Sequence, residues 1–158
     1  MAYRGIKPSE VDTGTLLNRK KRLALIRRFY SIQGKKIIDC GCGTGQYVLA
    51  FLEAGGDAFG IEYQKVKVAE FKRDFPQFAA RVYEGDIEQM QFASASFDMA
   101  LLNEVLEHVP NERKALKEIY RILKPNSYSF IFSPNRLYPF ETHTVGLKFL
   151  IRISLYIF

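Results

Sequence analysis

The chain has 158 residues, 47% of them hydrophobic, with two cysteines, no tryptophan and a formal net charge of +6. A domain of this length buries roughly 68–70% of its unfolded surface, so it needs no disulfide framework to hold a core. Two cysteines separated by one residue, and an amino-terminal stretch (MAYRGIKPSEVDTGT) without an apolar run, argue against secretion and for a reducing, cytoplasmic setting.

Basic residues concentrate in NRKKRLALIRR, 18–28, where Leu16, Leu23, Ile26 and Tyr30 fall on one helical face. That spacing predicts an amphipathic helix with a solvated cationic side, within a segment 1–34 that packs on the core. Contact of the cationic side with RNA or a membrane surface stays open. From residue 35 to 135, short apolar runs alternate with helical patterns, the signature of a doubly wound α/β sheet. KKIIDC reads as a first strand. QYVLAFLEA follows as a helix with Val48, Phe51 and Leu52 on one face, ended by Gly55 and Gly56. DAFGIEY is a second strand, KVKVAEFKRDF a helix stopped near Pro76, and ARVYEGD a third strand. FDMALLNEV is the fourth. NERKALKEIYRILKP is a helix with Leu116, Ile119 and Leu123 facing inward and Pro125 at its end, and YSFIFSPN is the fifth strand.

In such a sheet, ligands sit at the carboxyl ends of the strands beside the point where strand order reverses. Asp39, Glu62, Asp86 and Asn103 fall at four comparable strand ends, and the loop DCGCGTG, 39–45, follows the first strand. A phosphate-gripping loop needs Gly-Lys-Ser/Thr, which is absent; a dinucleotide fingerprint needs its third glycine one residue later than Gly45.

With GIEY, GDIE, FDMALLNEVLEHV and ILKPNSYSFIFSPN in order behind it, DCGCGTG resembles the first motif of the class I S-adenosylmethionine-dependent methyltransferases, specifically the small-molecule group called type 11. The resemblance covers residues 35–135. It implies a Rossmann-like α/β sheet, S-adenosylmethionine as methyl donor, S-adenosylhomocysteine as product and a small-molecule methyl acceptor. Gly41, Cys42 and Gly43 would receive the methionine portion, with the next helix offering its amino end to the carboxylate. Asp39 would accept from the ammonium or order the loop. Glu62 lies 62 − 41 = 21 residues after the first loop glycine, the spacing at which an acidic strand tip meets a ribose. Tyr63 would offer an aromatic surface to adenine. Asp86 and Ile87 would hold the ring by its exocyclic amine and an apolar contact, and Asn103 would also contact the cofactor.

Methyl transfer from a sulfonium is an in-line displacement, so a base matters only where the acceptor must lose a proton. His108 is the candidate base, with packing beneath the cofactor as its competing role. Glu104, Glu107 and His108 also form Glu-x-x-Glu-His, which looks like the metal site of certain RNA ribose and quinone O-methyltransferases; His143 is a conceivable further ligand. The expectation is no metal, with that grouping as the alternative. Rival readings are a cofactor-binding remnant without catalysis, an RNA methyltransferase and, below both, an NAD-dependent oxidoreductase.

Relatives in this family continue through two more strands, so the sheet is expected to lack its last strands. In 136–158, Arg136, Tyr138, Glu141 and His143 stand in what resembles a substrate-side loop. The final apolar residues fit either a half-buried strand, being apolar at odd positions from 147 to 157, or a helix lying on a bilayer with Lys148, Arg152 and Tyr156 in one stripe. Either exposes apolar surface, which favours a homodimer or membrane-surface contact.

Overall fold

The computed structural model describes residues 13–134 and 146–152, with side chains over 17–133. Helix α1, Thr13–Phe29, belongs to a first compact unit, Met1–Ser31. All remaining elements belong to a second, Ile32–Phe158. They follow in the order β1 Lys36–Cys40, α2 Gln46–Glu53, β2 Asp57–Glu62, α3 Lys65–Asp74, β3 Val82–Glu84, β4 Phe97–Asn103, α4 Glu112–Ile122, β5 Leu123–Pro134 and β6 Gly146–Arg152.

The six strands form one sheet in the order β3-β2-β1-β4-β5-β6. The first five are parallel, and β1 lies between β2 and β4, with Asp39 opposite Gly60 on one side and Leu101 on the other. The order therefore reverses at β1, which places the switch point at the loop after Cys40. A central parallel strand is covered on both faces, and this is why KIIDC is almost continuously buried: Ile37, Ile38 and Cys40 are fully buried. Each such burial contributes roughly 1.5–3 kcal/mol.

Helix α2 ends where its two glycines predict. The Gly55 amide donates to Leu52 and the Gly56 amide to Phe51, with Gly55 left-handed at φ 81°, the paired closure that satisfies two orphan carbonyls. Helix α4 departs from expectation by one position. Its buried stripe is Ala115, Ile119 and Ile122, and Leu116 is exposed. The helix also stops before Pro125 because β5 has begun at Leu123, which pairs with Phe97; the register then shifts over the Asn126 kink to Met99 opposite Tyr128. A 3₁₀ turn, Pro76–Arg81, takes up the chain between α3 and a third strand of only three residues.

One closing strand is present where the sequence reading leaves the sheet short. β6 pairs antiparallel with β5, from Tyr128 opposite Arg152 to Pro134 opposite Gly146. Over Gly146–Arg152 the period-two pattern is thus a strand and not a bilayer-lying helix. Arg136, Tyr138, Glu141, His143 and Tyr156 lie outside the described residues. Among the described residues, no helix is long and apolar enough to cross a membrane.

Candidate functional site

The loop after β1 is fastened to the end of β2: the amides of Gly41 and Cys42 both donate to the Ile61 carbonyl, at 2.8 and 3.0 Å. Its three glycines differ in their surroundings. A Cβ on Gly41 would lie 2.6 Å from Cγ2 of Val105, in the loop after β4, and one on Gly45 would overlap the Phe71 ring of α3. Both positions are small because the protein itself fills the space. Gly43 alone has nothing within 4 Å of such a Cβ, while its φ of 55° disfavours any side chain. A side chain at Gly41 would thus meet Val105, while Gly43 has open space beside it; both glycines line the cleft.

Gly43 looks into a cleft of about 590 Å³ at the carboxyl ends of β1 to β4. Of the residues singled out in the sequence, the cleft brings together Gly41, Gly43, Glu62, Tyr63, Asp86, Ile87, Asn103, Glu104 and His108. Glu62 is 7% exposed, and its carboxylate is already engaged: Oε2 accepts the Gly43 amide at 2.8 Å and Oε1 the Gln64 amide at 2.9 Å. A carboxylate has about four acceptor positions, so two remain. Asp86 likewise has two duties. Its Oδ1 accepts the Glu88 amide at 2.8 Å, closing a turn, while the residue faces the cleft. Asn103 accepts from the Tyr47 hydroxyl at 3.4 Å. Tyr63 is 78% exposed at the rim.

Asp39 and Cys42 stand behind the wall rather than in it, because each side chain is packed against the sheet. The Cys42 thiol occupies the space that a Cβ at Gly60 would need, and burial pushes its pKa up, away from thiolate chemistry. Asp39 is 1% exposed, and its Oδ2 has no hydrogen-bond partner. Burial, with the Glu62 charge adding to it, pushes the Asp39 pKa up to about 8.

Beyond β4, Glu104 adopts φ 57°, unusual for a side-chain-bearing residue, while its amide donates to Phe132 at 2.7 Å. The 3₁₀ turn Leu106–His108 follows. Glu104 and His108 line the cleft, whereas Glu107 Oε2 accepts from the Ser133 hydroxyl at 3.4 Å. The Glu104, Glu107, His108 grouping therefore does not form: Glu104 precedes the turn in a left-handed kink, which breaks the helical spacing that would gather the three. Among the described residues, no three His, Cys, Asp or Glu side chains come together as a metal-binding set.

Gln64, Lys67, Val105, Val109 and Pro110 complete much of the lining, and sequence reasoning missed them. Only adjacency to a strand tip marks Gln64 and Val105. Nothing in the local pattern distinguishes Lys67 from the solvated lysines around it.

A mostly parallel sheet reversing at β1, a glycine loop at the reversal and acidic strand tips around one cleft define a Rossmann-like cofactor-binding fold. The model of a family described as "Methyltransferase domain" matches residues 38–131, and the chain belongs to that family. A demethylmenaquinone methyltransferase from Lactiplantibacillus plantarum is 31% identical over 124 residues, covering 74% of this chain and 52% of the relative. A ubiquinone biosynthesis O-methyltransferase from Methylococcus capsulatus is 29% identical over 136 residues, covering 84% and 57%. The chain thus spans about half the length of the curated relatives it matches. A SAM-dependent methyltransferase from Aquifex aeolicus, 17% identical, shares the fold with a TM-score of 0.66 over 87% of this chain and 78% of that one.

Proposed function

We propose that this chain is the cofactor-binding, catalytic domain of an S-adenosylmethionine-dependent methyltransferase acting on a small molecule. One observation carries the reading: the tips of consecutive strands deliver Gly43, Glu62, Asp86 and Asn103 to a single cleft. The cleft suits the methyl donor in two respects. Backbone at Gly43 is open to close approach, and the Glu62 carboxylate keeps acceptor positions for ribose hydroxyls.

Bound there, the cofactor supplies a methyl group on a positively charged sulfur, released by in-line displacement. The chain's own residues align and shelter. Glu62 holds the ribose, Asp86 accepts from the adenine amine, and Ile87, 6% exposed, supplies an apolar ring contact. Asn103 borders the reacting end. Holding donor and acceptor in line can lower the barrier by up to roughly 7–11 kcal/mol, so few side chains need take part in the chemistry. His108 receives the proton where the acceptor must lose one.

A demethylated quinone-type ring is the acceptor to test first, since the names of both curated relatives share that chemistry. Calorimetry with S-adenosylhomocysteine, then labelled-methyl transfer to such rings and to a metabolite pool, tests the proposal. Micromolar binding followed by label in a small product supports it; absence of binding overturns it.

A further inference from the structure

The third strand is three residues long and lies at the sheet edge, so the loop that follows it gets little support from the ladder. Yet this loop carries Asp86 and Ile87. Helix α4 holds it instead. At the helix start, the Asn111 amide donates to Glu88 Oε1 at 2.8 Å. Further along, the Met90 amide donates to Glu118 Oε2 at 2.9 Å. The Arg121 guanidinium donates to the carbonyls of Met90 at 2.9 Å and Phe92 at 2.7 Å, and grips both Glu118 oxygens at 2.8 Å. Neither Glu118 nor Arg121 lines the cleft.

We infer that Glu118 and Arg121 are positioning residues for adenine recognition: by clamping the main chain at Met90 and Phe92, they set where Asp86 and Ile87 meet the ring. The inference rests on the cofactor reading above. Asp86 and Met90 are joined by a single turn, closed by the Gln89 amide on the Asp86 carbonyl at 3.1 Å and the Glu88 amide on Asp86 Oδ1, with Ile87 and Met90 both buried. A shift at the clamp is therefore passed to Asp86 and not absorbed between. The guanidinium is suited to the task because its planar fork serves two carbonyls and both oxygens of a carboxylate at once, four acceptors against the three donors of a lysine ammonium.

The test compares binding of S-adenosylhomocysteine with its inosyl analogue, in which a carbonyl replaces the exocyclic amine. Wild type should prefer the adenosyl compound by about tenfold or more, the worth of one hydrogen bond to a charged acceptor. Asp86→Ala sets the ratio without that contact. Arg121→Lys, and Glu118→Gln as a milder second variant, should bring the preference to within about threefold of that floor in folded protein, a selectivity change that general loosening would not produce. A wild-type ratio in both variants overturns the inference, as does a wild type that binds both compounds equally. A wild type that binds neither overturns the cofactor reading instead.

Discussion

The Gly43 amide donates to Glu62 Oε2 at 2.8 Å, so the acidic tip of β2 holds the glycine loop in shape as well as facing the cleft. The residue proposed to bind the ribose is thus also the fastener of the glycine loop. The second oxygen, taken by the Gln64 amide, fixes the carboxylate plane, which leaves the two remaining acceptor positions pointed in set directions.

Removing this carboxylate should therefore weaken binding twice over. Glu62→Ala loses the hydroxyl contacts and leaves the Gly43 amide without its acceptor; hydrogen bonds to a charged group are worth about 1.5–3 kcal/mol, or roughly ten- to a hundredfold in affinity. Glu62→Gln, with one acceptor oxygen, should fall between. Calorimetric titration with S-adenosylhomocysteine reads both, and a Glu62→Ala protein binding as tightly as wild type would contradict the assignment.

Gly41 and Val105 form a testable steric pair. Gly41→Ala places a methyl 2.6 Å from Val105 Cγ2 at a backbone φ of 76°, and should cost about 1–3 kcal/mol through overpacking, with further strain from the left-handed backbone. Val105→Ala in the same chain should return the packing part of that loss. Denaturant melts of the two single variants and the double variant measure the coupling; simple additivity would show that the two side chains do not compete for this space.

Asp39 makes the ligand-free protein sensitive to pH in a stated direction. Its pKa is raised from 3.8 to about 8, first by burial and then by Glu62, so between those values the native state keeps a proton that the unfolded state has lost. Where the native state binds more protons, stability falls as pH rises; the loss therefore accumulates from about pH 4 to about pH 8 and levels off above. Asp39→Asn removes the titration. Its melting temperature relative to wild type should climb across that window, and a flat difference would exclude the effect.

His108→Ala separates chemistry from binding. Placed on the cleft rim by the turn Leu106–His108, this imidazole should matter to turnover with a protonated acceptor, by about a hundredfold or more, and little to cofactor affinity. Loss of cofactor binding with unchanged turnover at saturation would assign it to packing beneath the ligand.

Much of this was readable from local pattern. The β1 run and its glycine loop, the paired glycines closing α2, and acidic or polar residues at the tips of β2 and β4 depend on backbone needs that neighbours in sequence express. The buried face of α4 differs by one position from the periodic pattern because Ala115 and Leu116 both satisfy a helical period; only the sheet beneath decides which turns inward. The beginning of β5 at Leu123 was hidden by Pro125, since a proline marks the end of a helix without saying whether a bulged strand continues through it.

What the sequence alone determined was the alternation of strands and helices, the place of the switch point and the set of residues at strand tips, all of which follow from periodicity and from turn chemistry acting over a few positions. Tertiary structure decided which neighbour each loop glycine faces, which way Cys42 and Asp39 turn, that Glu107 leaves the company of His108, and that Arg121, 35 positions after Asp86, grips the loop carrying it. Those outcomes depend on contacts between segments far apart in the chain, whose side chains compete for the same space only once the sheet has brought them together.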